Sequence, residues 1–441
     1  MSALNPIPAP TNVVKLELPE ETEKKRPKFE HVSMTTNGEV KPKNTANNLK
    51  AVADFMGIEF KLNLLTYQPE ILDDISGDPI AHSYDQTHSY LVSAANITGL
   101  PPKAIDDHLK ALCENNPYHP IKNWLDCGTW DGIERVRKVI DCLPVKDRDL
   151  SQKALSHWLV GCVASLYEDS FKSKLVPVLQ GSQSYRKTAY IERIAKVAAL
   201  AFLEGAELNP DSKDSVLSCI FSWVVELGEL ERTNRNSQGS LKAFISKDLD
   251  TVRPPYARGD IKKRRQTHFI ASVNGSDFLK DDTGSSRFVV LEMTDAAKMD
   301  ELNELLGWHY DGTGKITLVK PELLKQFWLE VKVMYEKGHG WMLPDSVLEQ
   351  AKLANDSFND KGNWYQYILE RYIQNDNKAG GWITAGQLVD DDEKMNVTHT
   401  KQVGKALAKL HEDGLVDRKK GRSRMTFYQI DLNTGFATLE D

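Results

Sequence analysis

Lys187 and Thr188 close the run Gly181-Ser182-Gln183-Ser184-Tyr185-Arg186-Lys187-Thr188-Ala189. A glycine-initiated turn that ends on an ammonium and a hydroxyl is suited to polyphosphate. Backbone N–H groups wrap the phosphate oxygens, the lysine reaches the β- and γ-phosphates, and the threonine hydroxyl ligates Mg²⁺. Downstream, Glu226 and Glu229 stand where the apolar run FSWVVELGELE stops. Carboxylates delivered by a buried strand beside a phosphate loop hold Mg²⁺ and polarise an attacking water. Asn274 ends HFIASVN and could orient that water. Arg287 follows the Gly-Ser turn of DDTGSSRFVV and could reach a neighbouring subunit's γ-phosphate. Each has a plainer reading taken alone: a strand-to-helix turn, a solvated strand end, a turn asparagine, a surface ion pair.

These groups need elements to hold them. Residues 175–180 (LVPVLQ) read as a strand, and residues 190–201 as a helix by their apolar spacing. Strand, loop, Lys-Thr, helix places the phosphates at a helix N-terminus, where the macrodipole favours anions. Residues 220–231 and 268–274 read as two more buried strands. One position departs from G-x-x-x-x-G-K-[ST]. Arg186 stands where a glycine normally supplies backbone freedom.

The chain resembles the virulence-associated E family of phage and mobile-island replication proteins. The matching stretches are NPYHPIKNWLDCGTWDGIERV (116–136), HWLVGCVASLY (157–167), VLQGSQSYRKTA (178–189), WVVELGELE (223–231), LKAFISKDLDTVRPPYAR (241–258), RRQTHFIASVNGSDFLKDDTGSSRF (264–288) and FWLEV (327–331). The resemblance implies an α/β fold: a P-loop AAA+-like core of the superfamily 3 type. It places Gly181, Lys187 and Thr188 on the phosphate loop and Glu226 and Glu229 on the Walker B position. It places Asn274 on sensor 1 and Arg287 on the basic residue of a T-G-x-R-R-F-like motif. Ser286 stands where the family often has a second arginine. The implied cofactors are ATP and Mg²⁺, with Thr188 and Glu226 as metal ligands.

Between the acidic strand and the Asn274 strand lies a basic loop, residues 242–265. It carries Lys247, Arg253, Tyr256, Arg258, Lys262, Lys263, Arg264 and Arg265. Cations that track a backbone, with an aromatic for stacking, suit single-stranded DNA. The resemblance implies a hairpin here that points into a central channel. A solvated charged loop gives the same composition.

Composition bounds the rest. The chain has 441 residues, enough for two or three domains, and 40% hydrophobic and 27% charged residues, as in globular proteins. Its net charge of −7 gives no global pull toward nucleic acid, so DNA contact must rest on local patches. Five cysteines, at 113, 127, 142, 162 and 219, form no C-x-x-C pair. Free thiols in a reducing cytoplasm are the expectation, that of a bacterial host cell. No apolar run is long enough to span a bilayer.

In chain order, residues 1–45 are rich in Pro, Asn, Lys and Glu and read as a disordered tail. Residues 46–115 read as a small helical, collar-like domain, with helices at 46–57 and 101–114. Residues 116–345 are the ATPase core, opened by an amphipathic helix at 150–167. Residues 346–441 read as three helices and a hairpin, a winged-helix pattern. Its third helix (398–412) would enter the major groove. The wing would place Lys419, Lys420, Arg422 and Arg424 on the DNA backbone. The expected protein is an ATP-driven DNA helicase for replication of a phage or mobile element. It would work as a homo-hexameric ring on single-stranded DNA, recognise origin DNA, and rely on a separate primase or host proteins, without membrane contact. The alternative is an origin-recognition or initiator protein that binds nucleotide with little turnover.

Overall fold

The strands that carry the candidate site are all buried. Val176, Val178 and Leu179 in the first, Val224 and Val225 in the second, and Phe269, Ile270 and Ala271 in the third are no more than 3% exposed. Uninterrupted apolar runs of this kind mark parallel strands covered on both faces. The computed structural model describes residues 26–228, 238–253, 259–275, 287–356, 358, 363–373, 381–421 and 425–430. They fall into two compact units that divide in sequence after Pro120.

The first unit corrects two expectations. The tail does not extend to residue 45, because β1 (Val32–Met34) and β2 (Val40–Pro42) form an antiparallel hairpin. Buried Asn48 of α1 (Ala46–Met56) ties this segment down. Its Oδ1 accepts from the Glu30 and His31 N–H groups, and its Nδ2 donates to the His31 and Lys43 carbonyls. Nor is the unit purely helical. β3 (Ile58–Asn63) pairs antiparallel with β4 (Pro69–Asp73) and parallel with β5 (Pro117–Tyr118). Ile58, Phe60 and Leu62 point inward between outward Glu59 and Lys61, a two-residue period. α2 (Tyr84–Thr98) and α3 (Lys103–Glu114) complete the core of this unit.

The second unit opens with α4 (Pro120–Asp126), α5 (Val136–Asp141) and α6 (Arg148–Tyr167). Then come β6 (Val176–Gln180), α7 (Lys187–Ala195), β7 (Phe202–Ala206), α8 (Lys213–Ile220) and β8 (Val224–Leu227). Next are α9 (Gln238–Ile245), the hairpin strands β9 (Leu249–Val252) and β10 (Ile261–Arg264), β11 (His268–Val273) and β12 (Phe288–Glu292). α10 (Met299–Leu306), β13 (Trp308–Tyr310), β14 (Ile316–Leu318), α11 (Pro321–Glu336) and α12 (Asp345–Asp356) follow. The strand-helix alternation gives a parallel sheet, as βαβ units require. Its order is β12-β6-β11-β8-β7. The chain leaves β6, second from one edge, for the far edge at β7 and steps back through β8 and β11. It finishes on the other side of β6 at β12. In such sheets ligands bind outside the carboxyl ends of the strands, where the order reverses. Here that place is the end of β6.

Tryptophans fasten one helix to this sheet and another to α7. Trp158 Nε1 of α6 donates to the Phe269 carbonyl (2.9 Å), and Trp328 Nε1 of α11 to that of Ile194 (2.9 Å). The open edge of β12 is met by buried Asn355 of α12. Its Oδ1 accepts from Val290 N–H (3.0 Å) and its Nδ2 donates to the Phe288 carbonyl (2.7 Å).

The C-terminal part of this unit has α13 (Asn363–Ile368), β15 (Gly381–Ile383), α14 (Ala385–Asp391), α15 (Thr400–Glu412), β16 (Arg418–Lys420) and β17 (Thr426–Ile430). The strands form an antiparallel sheet in the order β15-β17-β16. WITAGQLV (382–389) runs from strand β15 into helix α14. The Thr384–Gln387 capping box sets the boundary. All five cysteines are free thiols, and no helix of the described residues is long and apolar enough to cross a membrane.

Candidate active site

β6 ends at Gln180, and the chain turns at Gly181, whose N–H donates to the Val273 carbonyl of β11 (3.2 Å). Only glycine fits here, because a Cβ would lie 2.6 Å from the Tyr185 ring. A single 3-10 turn covers Gln183–Tyr185. It is pinned from outside: Tyr185 Oη donates to the Thr294 carbonyl, and Ala297 N–H donates to that of Tyr185. Arg186 then adopts φ 57°, ψ 32° and α7 begins at Lys187. The left-handed conformation that glycine would supply is therefore present, held by an arginine with an exposed side chain. Such a conformation costs an L-residue about 1–2 kcal/mol. The helix starts at Lys187 rather than at residue 190 and stops at Ala195, not 201.

Lys187 is buried. Its Nζ lies 2.7 Å from Gly181 O, 2.9 Å from Ser182 O and 2.8 Å from Asn274 Oδ1. Burial holds its pKa below the ordinary lysine range, against an opposing pull from Glu226. Thr188 Oγ1 donates to Glu226 Oε1 at 2.6 Å. Glu226 is 0% exposed. Burial pushes its carboxyl above the usual range, while the Thr188 and Ser272 hydroxyls draw it back. Its other oxygen, Oε2, has no hydrogen-bond partner among the described residues.

Lys187, Thr188, Glu226 and Asn274 thus converge at the carboxyl ends of β6, β8 and β11. Ser272 joins them and was not singled out from sequence. Its signal is a lone hydroxyl in the apolar strand HFIASV. Ser182, Gln183 and Ser184 are exposed along the loop, and Ala189 is half-buried in α7. Glu229 lies outside the described residues.

Arg287 does not join this group. Its carbonyl accepts from Val176 N–H (2.8 Å) at the opposite, amino end of β6, and its Nε donates to Ser246 Oγ (3.0 Å). The length of β6, at about 3.3 Å per residue, sets it roughly 15 Å from the loop.

A model of the virulence-associated protein E-like domain matches residues 125–360. The chain belongs to this family. The matched region holds the whole convergent group and runs on through α12, whose Asn355 meets the edge of the sheet. No curated protein matches the sequence. Among solved structures the chain is similar to the apo structure of the NrS-1 C-terminal region (305–718). The identity is 15%, covering 86% of this chain and 98% of that one, with a TM-score of 0.46. It is also similar to the A form apo structure of that region, at 14% identity, with coverage of 87% and 98% and a TM-score of 0.45.

The family match also contains the basic hairpin β9–β10, where two expected DNA contacts are corrected. Lys263 is 1% exposed and Arg265 4%. Strand alternation turns Lys263 inward, opposite Asp250, while Lys262 and Arg264 face outward. Arg265 grips Asp250 with two hydrogen bonds, Nε to Oδ2 (2.6 Å) and Nη2 to Oδ1 (2.7 Å), and covers the Phe244 ring at 4.2 Å. Burial lowers the Lys263 ammonium to about 8 despite Asp250. These two cations brace the hairpin base. Lys247 and Arg253 are exposed, Lys262 is exposed, and Arg264 is exposed and paired with Asp169 at 2.6 Å. Tyr256 and Arg258 lie outside the described residues, as do Arg422 and Arg424. Lys419 and Lys420 are exposed on β16.

A stability contrast follows. Arg265→Ala is expected to destabilise the protein by about 3–5 kcal/mol, because it removes both hydrogen bonds that hold the buried Asp250 carboxylate. Lys262→Ala should stay within about 0.5 kcal/mol of wild type. Urea unfolding of both variants checks this, and equal midpoints would refute the buried role of Arg265.

Proposed function

We propose that this virulence-associated protein E-like chain is an ATP-driven motor of phage or mobile-element DNA replication: a helicase that works as a hexameric ring on single-stranded DNA. The observation that carries the reading is the convergence of Lys187, Thr188, Glu226 and Asn274 at the point where the strand order of a parallel sheet reverses.

The group fits a nucleotide–Mg²⁺ ligand. The Thr188 hydroxyl and the Glu226 carboxylate are hard oxygen donors of the kind Mg²⁺ takes, and one buried Glu226 oxygen has no partner among the described residues. Thr188 and Glu226 would hold the ion, which would neutralise charge on the phosphates. Lys187 would exchange its carbonyl partners for phosphate oxygens. Asn274, already on the lysine, would orient the attacking water, and Glu226 with Glu229 would polarise it. Arg287, remote from its own loop, would serve the nucleotide of the adjacent subunit, which makes catalysis depend on the ring. The exposed Lys247, Arg253, Lys262 and Arg264, with Tyr256 and Arg258, would line the channel around single-stranded DNA. The C-terminal helices and sheet would act as a winged helix on origin DNA, with α15 in the major groove.

One observation favours a second reading. Arg186 holds a conformation normally left to glycine, and Lys187 is already satisfied by three oxygens. A loop closed in this way would suit an initiator that binds nucleotide with little turnover. Steady-state phosphate release with and without single-stranded DNA, paired with strand displacement on a forked duplex, separates the two. DNA-stimulated turnover with displacement is expected. Turnover without displacement indicates an assembly switch, and bound nucleotide without turnover indicates the initiator.

A further inference from the structure

The outer face of the C-terminal sheet is neither apolar core nor an ordinary solvated surface. Trp382 of β15 is 37% exposed. It stands opposite Gln429 of β17, and Lys419 of β16 stands opposite Phe427. Residues directly opposite share a face, and so do residues two apart along a strand. Trp382, Gln429, Phe427 and Lys419 therefore form one row across all three strands. The intervening residues Ile383, Tyr428 and Ile430 are 8%, 6% and 3% exposed and fill the core on the other side. Phe427 is half-buried, its ring lying over Gly421, where a Cβ would come within 2.6 Å. The Lys419 ammonium sits 4.3 Å from the centre of the Trp382 ring.

We infer that this face binds unpaired nucleotides, with bases stacking on Trp382 and Phe427 and Lys419 moving to the phosphate backbone. Charge selects the occupant. Arg418, Lys419 and Lys420 are all exposed along β16, three cations without an acid. Such density beside an exposed tryptophan and a half-buried phenylalanine suits a single strand, whose bases are free to stack. A duplex hides its bases, and an apolar protein partner would not call for this charge. The cation over Trp382 is displaceable: an exposed cation–π contact is weaker than a stacked base. Each lost stack weakens binding by roughly 5- to 150-fold. The inference leans on the proposed DNA motor only for the choice of ligand. It differs from a major-groove role for α15, because the contact is the sheet and the substrate is unpaired.

The test is photocrosslinking of the full chain to an iodouracil-substituted oligo(dT), without nucleotide, followed by peptide mapping. Crosslinks to the strands carrying Trp382 or Phe427 are expected. Trp382→Ala should weaken oligo(dT) binding by roughly 5- to 150-fold, and Trp382→Phe should largely restore it. Crosslinks confined to residues 241–265, or sheet crosslinks formed only with duplex, would overturn the inference. So would the absence of any sheet crosslink, as a protein-docking face would give. If Trp382→Ala fails to fold by circular dichroism, the wild-type map still decides. Because nucleotide is absent, a failed ATPase reading leaves this result untouched, and a missing sheet crosslink leaves the ATPase reading untouched.

Discussion

Lys187→Ala is expected to abolish ATP turnover, with a loss of about 10²–10³-fold or more, the scale seen when one preorganised donor to developing charge is removed. The structure gives this residue no other task of comparable weight. Its ammonium is buried and held by Gly181 O, Ser182 O and Asn274 Oδ1 within 2.7–2.9 Å. A surface lysine on a strand-to-helix turn would be exposed and would lack the link to Asn274, 87 residues away. The same geometry predicts a stability effect. Removing the ammonium leaves three oxygens without their cation, at about 1–3 kcal/mol for the site. Thermal melts without nucleotide should therefore drop modestly. Nucleotide should raise the wild-type melting temperature more than the variant's, since a ligand stabilises by its affinity for the folded state. Lys187→Arg should not rescue turnover, because a planar guanidinium cannot replace a compact ammonium in this pocket. A variant that keeps more than a tenth of wild-type turnover would remove Lys187 from the phosphates.

Much of this arrangement is legible in the sequence, and the parts that are not share a cause. The core strands announce themselves as unbroken apolar runs ending on Gln180, Leu227 and Val273, and the loop residues follow directly. By residue type alone, Arg186 predicts a departure from the glycine geometry. Yet its backbone holds that geometry, because Tyr185 is anchored at both its hydroxyl and its carbonyl. Sequence patterning does not report such tertiary anchoring. Lys263 and Arg265 mislead for a similar reason. A run of four cations reads as a solvated face, and only the pairing of β10 with β9 brings Asp250 to neutralise two of them inside. The remoteness of Arg287 was within reach. It precedes a strand, the phosphate loop follows one, and in a parallel sheet those are opposite ends. The small strands of the first unit escaped because short alternating runs are outweighed by the helices around them.

Glu226→Gln should lower turnover by a similar 10²–10³-fold while leaving nucleotide binding largely intact, and its decisive signature is the pH profile. Burial raises the Glu226 carboxyl above the ordinary carboxylate range. The charged form is the one that can ligate a cation or accept a proton from water. Wild-type kcat/KM, which reports the ionisations of the ligand-free enzyme, should therefore fall as pH drops through that raised ionisation, giving an acid limb above the usual carboxylate pKa. The residual kcat/KM of the Gln variant should lack this limb, because its amide does not titrate. Stability runs the other way. A carboxyl whose folded pKa is raised binds protons more readily in the folded state, so its stabilising contribution is present below the ordinary carboxylate pKa. That contribution is lost as pH rises through the folded value. The ligand-free wild type should lose stability over that window relative to the Gln variant, and Mg²⁺ with nucleotide should reverse the trend by stabilising the carboxylate. Two series decide the matter: kcat/KM against pH, and melting temperature against pH with and without Mg²⁺-nucleotide. An acid limb that persists unchanged in the Gln variant would assign the titration to another group and take Glu226 out of the chemistry. Loss of the limb together with the crossed stability trends would tie the buried, half-partnered carboxylate to the reaction itself.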